Sequence, residues 1–239
     1  MQLKRIKHYF EAYKAYLQTE QAQATRVHIW ESQRIFQNNW DRDATEWAAM
    51  YDACLKNSTS RRLWKREAYE PKRMMLELMR MQPDFTRHMF LDLFNEEKAL
   101  EGRASRFVHY CNMLFEEYQD KHPARRDNSH YHDDGYQMVF LYLAFRFPEH
   151  YTLYEGETFR RFLQHLGSPD IPAAHDLERF AKVMRTIYKM MEKEPELLPS
   201  HLARLPAAEK DSSGSLLVVY DFYQAVAGER AALPAYTGR

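Results

Sequence analysis

The amino-acid sequence predicts an all-α protein, a single irregular multi-helix bundle with a central apolar helix near residues 136–147. Three observations carry that prediction. Apolar side chains recur at steps of three and four along most of the chain, which is the period of one helix face. The gaps between these runs hold helix-ending residues, with prolines at positions 83, 123, 148, 169 and 172. The one run that would serve equally as a strand, Leu216 to Tyr223, has no evident partner strand and is read as a helix.

Taken in order, Leu3, Ile6, Phe10, Tyr13 and Leu17 form a narrow seam on an opening helix, with residues 1–25 as a candidate protruding element. Gln18 to Thr25 either continues that helix or turns, and Val27, Trp30 and Phe36 mark a second segment that ends near Asn38 and Asn39. Asp43 followed by Glu46 has the capping-box form, ahead of a face made by Ala44, Trp47, Ala48, Tyr51 and Leu55. After a polar break at 56–60, two helices separated by Pro83 carry Met74, Met75, Leu78 and Met79, then Phe85, Met89, Leu93 and Phe94.

The clearest helix runs from Leu100 through Ala104, Phe107, Cys111, Leu114 and Phe115 to Tyr118, so Cys111 should face the core. A charged loop over 121–129 leads into Tyr136 to Phe147, which is apolar all round apart from Gln137 and Arg146, as expected of a central helix. Phe159 to Leu166 makes a short helix closed by Gly167, and Leu177 to Met191 is strongly amphipathic. Prolines 195, 199 and 206 make the next stretch short and angular. One helical domain is expected over 1–228, with a flexible tail or linker over 229–239.

Lys plus Arg equals Asp plus Glu at 34 each, so no global field announces a nucleic-acid or membrane partner, and any such partner must be met by a local patch. The two cysteines, Cys54 and Cys111, have neither disulfide-framework nor zinc-knuckle spacing, which fits a reduced, cytoplasmic setting. The most apolar run is eight residues, Met138 to Phe145, against the about 20 of a membrane-spanning helix, so no membrane is expected. Seven glycines and no Walker-type or dinucleotide loop give no phosphate cradle, and no cofactor is expected.

The strongest local charge bias is Arg61, Arg62, Lys65, Arg66, Lys72 and Arg73, with only Glu67 and Glu70 opposing and with Trp64 and Tyr69 interleaved. Cations that neutralise phosphates beside an aromatic that stacks on a base make a sequence-tolerant nucleic-acid surface. The bland alternative is a solvated loop whose aromatics point inward. A second cluster, His130, His132 and Asp133 with Asp134, His122 and Asp127 nearby, precedes the central helix. It reads first as helix capping and buried hydrogen bonding, and second as weak candidate ligands for a divalent metal. His130 and His132 converge only from an extended or turning backbone. The His132-Asp133 pair also resembles the motif of the all-helical HD phosphohydrolases, with His109 upstream and Asp176 or Asp221 downstream. Arg146, at the end of the central helix, reads as structural. No nucleophile elbow or cysteine–histidine pairing is visible, and no catalytic residue is assigned.

A longer resemblance runs from about Trp30 to Ala227. It is carried by Asn39-Trp40-Asp41, by the Lys72 to Leu78 helix, by Tyr142 through Pro148 ahead of Tyr151 and Tyr154, and by the closing LLVVYDFYQAVA. These segments are similar to a helical region found ahead of McrB-like AAA+ NTPases, the motors of modification-dependent restriction systems. The resemblance implies a recognition or adaptor role in antiphage defence, with DNA and an AAA+ NTPase subunit or domain as partners, and it transfers no catalytic residue. The competing expectation is a protein-interaction scaffold that docks another chain on the Leu3 to Leu17 seam.

Overall fold

The computed structural model of the chain describes residues 1–56, 70–210 and 214–237. Among these residues every regular element is helical and no strand occurs, as expected from the periodicity. Backbone contacts gather the chain into two compact units, Met1–Trp30 with Pro148–Arg239, and Glu31–Phe147. Each unit has an apolar helix at its centre.

In the unit of 1–30 and 148–239, α1 (Leu3–Leu17) and the short α2 (Glu20–Ala24) are followed, after α3 (Val27–Asn39) leaves the unit, by α9 to α12. These are α9 (Gly156–His165), α10 (Leu177–Met191), α11 (Leu197–Ala203) and α12 (Leu217–Ala227). The LLVVY run is thus the first half of a helix, α12, whose residues are buried nearly throughout and which packs on α9, α10 and α1. A short run that is apolar on all sides has to be covered on all sides, and helices do that here. Phe222 of α12 meets Phe10 and Tyr13 of α1 and Phe162 of α9, with ring centroids 5.2–5.8 Å apart.

The first helix corrects two expectations. Its buried face is Ile6, Tyr9, Phe10, Tyr13, Tyr16 and Leu17, whereas Leu3 is 57% exposed. It packs on α11 and α12 within its own unit, so it does not protrude, and its seam is not open to another chain. Gln18 to Thr25 turns: Thr19 caps α2 by accepting the Ala22 N–H. Gly167 closes α9 with a φ of +65°, in the left-handed region where a β-carbon is costly, and one there would also press against Gln2. The expected tail lies against the same unit: the amides of Ala232 and Leu233 donate to the Ala225 carbonyl, and the Tyr236 N–H donates to the Tyr9 hydroxyl at 3.2 Å.

The unit of 31–147 holds most of α3, then α4 (Trp47–Cys54), α5 (Glu70–Met81), α6 (Pro83–Leu93), α7 (Leu100–Lys121) and α8 (Gln137–Arg146). Pro83 sits in the first turn of α6, where its missing N–H costs nothing. The Asp43–Glu46 capping box does not form. The chain turns at 41–43, where the Asp43 N–H donates to the Asp41 carboxylate, and α4 starts only at Trp47 with no side-chain cap. Central α8 is buried from Met138 through Phe145. Its Tyr142 ring meets Phe90 of α6 and Phe107 of α7 at 5.1 and 5.9 Å, and its Phe145 meets Phe36 of α3. Arg146 projects at the end of α8, with its guanidinium over the Phe147 ring.

Candidate functional site

The sequence placed its chemistry in two stretches, and the fold treats them differently. Arg61, Arg62, Trp64, Lys65 and Arg66 lie outside the described residues. Lys72 and Arg73, at the start of α5, are described and are engaged within the protein. The Lys72 ammonium is 2.7 Å from the Asp52 carboxylate and also donates to the Asp52 and Leu55 carbonyls at the end of α4. Arg73 donates to the carboxylates of Glu70 and Asp127, both at 2.6 Å. Asp127 accepts in turn from the Tyr118 hydroxyl at 2.8 Å. These two cations fix α5 to α4 and to the loop after α7.

The second stretch builds a buried polar site in this unit. His130 and His132 are both buried, at 2% and 0% exposure, although residues two apart on a helix would face apart. A turn brings them together, because Tyr131 between them has a φ of +61°. Left-handed backbone at a residue with a bulky side chain costs about 1–2 kcal/mol, and the surrounding contacts must hold it there. Asp133, next in the chain, is exposed. It therefore does not join the two rings as the sequence suggested. Asp134 instead faces α8, accepting from the Met138 N–H at 3.4 Å.

Cys111 of α7 takes the place expected for Asp133. Among the described residues, the group of histidine, cysteine and acidic side chains able to converge on a metal ion is Cys111, His130 and His132. Their donor atoms all lie within 4.8 Å of one another, and all three residues are buried. His109 is exposed on α7, and among the described residues the metal-competent group includes neither it nor Asp133, Asp176 or Asp221, so no HD-type set appears there.

The hydrogen bonds fix the protonation of both rings. The His132 backbone N–H donates to His130 Nδ1 at 3.0 Å, so the His130 proton is on Nε2, which donates to Asn112 Oδ1 at 2.7 Å. His132 Nδ1 faces the His130 carbonyl at 2.7 Å and must donate to it, which leaves Nε2 as the acceptor for the Tyr142 hydroxyl at 2.9 Å. Tyr142 has then spent its proton, so the Tyr51 hydroxyl donates to it at 2.6 Å. The result is a directed chain from Tyr51 through Tyr142 and His132 to the His130 carbonyl, every member neutral. Burial pushes His132 down to about 3, helped by the neighbouring His130, and burial likewise lowers His130. Burial pushes the Cys111 thiol and the Tyr142 hydroxyl well up.

The other unit contains a polar cluster of opposite character around Asp221, the single carboxylate in the apolar face of α12. Arg26 Nε donates to Asp221 Oδ1 at 2.6 Å, and the Arg204 guanidinium pairs with Oδ2. Arg204 also donates to the Ala22 and Thr25 carbonyls, both at 2.8 Å. His201 lies beside the pair, with Nδ1 bonded to the Tyr13 hydroxyl at 3.1 Å and Nε2 at 3.6 Å from Asp221. Burial raises the Asp221 carboxyl, but Arg204 and Arg26 outweigh it and hold the group below its ordinary range. His201 gains little from a carboxylate that two guanidinium groups have already neutralised, and burial pushes it down to about 3.

Sequence reasoning missed Cys111, Asn112, Tyr142 and Tyr51 as partners of the histidines, and Arg26 and Arg204 as partners of Asp221. One signal was present for each: a tyrosine inside an all-apolar helix needs somewhere to place its hydroxyl, and a carboxylate inside one needs a cation. Neither a protein-family model nor a curated protein nor a solved structure matches this chain.

Proposed function

We propose that this chain is a non-catalytic DNA-recognition or adaptor module of a restriction or antiphage defence system, working in the cytoplasm with a separate or downstream AAA+ NTPase and a nuclease. The reading rests on the similarity of its helical segments to the region ahead of McrB-like motors and on one observation above all. The segment between α4 and α5 concentrates Arg61, Arg62, Lys65 and Arg66 around Trp64 in a chain of zero net charge. Cations on phosphates with an aromatic on a base supply affinity without demanding a particular sequence.

The ion pairs of Lys72 and Arg73 narrow the proposed contact set. Both are held by carboxylates of their own unit, so the cations offered to phosphate are Arg61, Arg62, Lys65 and Arg66. Fluorescence anisotropy with single-stranded and double-stranded DNA, with and without cytosine modification, tests this across a salt series. Each lost phosphate contact lowers the slope of log affinity against log salt by about 0.9 on duplex DNA, so replacing all four by Ala should lower it by up to about 3–4. Lys72→Ala and Arg73→Ala should leave the slope where it was. Equal affinity of the fourfold variant and the parent would remove the patch from the proposal.

A further inference from the structure

We propose that Cys111, His130 and His132 form a binding site for one thiophilic divalent ion of the zinc class. The donors are one thiol and two imidazoles, buried together with their ligating atoms within 4.8 Å of one another, and nitrogen–sulfur sets of this kind select zinc over magnesium or calcium. Three protein donors leave a fourth position for a further ligand, and the Tyr142 hydroxyl lies 2.9 Å from His132 Nε2.

Each ring already holds one N–H on an oxygen acceptor, as a ligating histidine does with its remaining N–H. Such a histidine turns its remaining N–H onto a carbonyl or carboxylate oxygen, which fixes the tautomer and aims the lone pair at the metal. His130 Nε2–H is turned onto the Asn112 side-chain carbonyl and His132 Nδ1–H onto the His130 backbone carbonyl. The lone pairs that remain, on His130 Nδ1 and His132 Nε2, are occupied by the His132 N–H and the Tyr142 hydroxyl. An entering ion exchanges those two hydrogen bonds for two coordinate bonds, and the Cys111 thiol releases its proton to solvent as the thiolate binds the ion. The left-handed turn at Tyr131 is what lets two residues so close in sequence face one ion.

Cobalt(II) titration of the full chain, purified without a polyhistidine tag, tests the site. One Co²⁺ per chain should bind with thiolate-to-cobalt charge-transfer absorption in the near ultraviolet and intense visible bands of a tetrahedral ion, and Zn²⁺ should displace it. Cys111→Ala should abolish the charge-transfer band, and Cys54→Ala, at the other buried thiol, should keep it. Asn112 is exposed, so Asn112→Ala leaves the core intact and should weaken cobalt binding by about 10–100-fold through His130 alone. Folded parent protein that shows no charge-transfer band in excess cobalt, or a band that survives Cys111→Ala, overturns the site. Unchanged cobalt affinity in Asn112→Ala does the same for the role given to His130.

Discussion

His132 and His201 are both fully buried, both bonded to a tyrosine hydroxyl, and both held near a pKa of about 3 by burial. Their surroundings differ in kind. Around His132, Tyr51, Tyr142, His130 and Asn112 exchange hydrogen bonds without any full charge. Around His201, a buried carboxylate is paired with the buried Arg204 guanidinium and with the half-buried Arg26. A neutral network loses only the desolvation of one dipole when a member is removed, whereas an ionic cluster that loses one partner is left with a buried charge. The first arrangement can exchange a hydrogen bond for another ligand at modest cost, and the second cannot.

The largest effect expected from this contrast is at Asp221. Asp221→Ala leaves Arg204 buried without its carboxylate and should cost about 3–5 kcal/mol in chemical denaturation. A loss under about 1 kcal/mol would mean that water reaches the guanidinium groups and that the cluster is not ionic in the sense drawn here.

Acid should then act on both histidines alike. Unfolded histidine takes up its proton near pH 6.5, but folded His132 and His201 do so only near pH 3, so protons bind the unfolded chain first as pH falls. Stability is therefore fully present above about pH 7 and falls below pH 6.5 by about 1.4 kcal/mol per pH unit for each ring, about 2 kcal/mol each by pH 5. His130 and His165, also lowered by burial, add to the slope. The Asp221 contribution has the same sign in a more acidic window: its depressed pKa keeps it intact until pH drops below the ordinary carboxylate value of about 3.9. Urea midpoints at several pH values should show His132→Gln removing about 1.4 kcal/mol per pH unit from the acid slope. An unchanged slope would mean that His132 is protonated in the folded protein.

The neutral network should respond less than the Asp221 cluster. Tyr142→Phe removes the hydroxyl that joins Tyr51 to His132 Nε2 and should cost about 1–3 kcal/mol. Combined with Tyr51→Phe it should cost less than the sum of the two single changes, because the second change removes a partner already stranded by the first. Simple additivity would break the directed chain argued above.

Much of the fold was legible from local pattern. α1 and α10 begin and end where the spacing placed them, Leu3–Leu17 and Leu177–Met191, because a solvent-facing helix writes its period into the sequence. The Asp43–Glu46 cap failed because a capping box specifies only local hydrogen bonds, and the turn at Asp41 satisfied the Asp43 N–H first. The histidine pair was legible as a cluster, but its third member was not. Asp133 is the sequence neighbour, yet the backbone after Tyr131 sends it outward while Cys111, twenty-two positions earlier, arrives from α7.

What the sequence determined alone is the all-helical class, the central helix near 136–147 that is apolar nearly all round, and the basic run between α4 and α5. All of these follow from composition and period, which act within a few residues. The tertiary structure decided which polar groups meet: Arg26 and Arg204 on Asp221, and Cys111, Tyr142 and Tyr51 around the histidines. Burial makes those partnerships obligatory, since a polar group withdrawn from water must find its bond wherever the packed helices bring one. That choice depends on the fold as a whole and not on spacing along the chain.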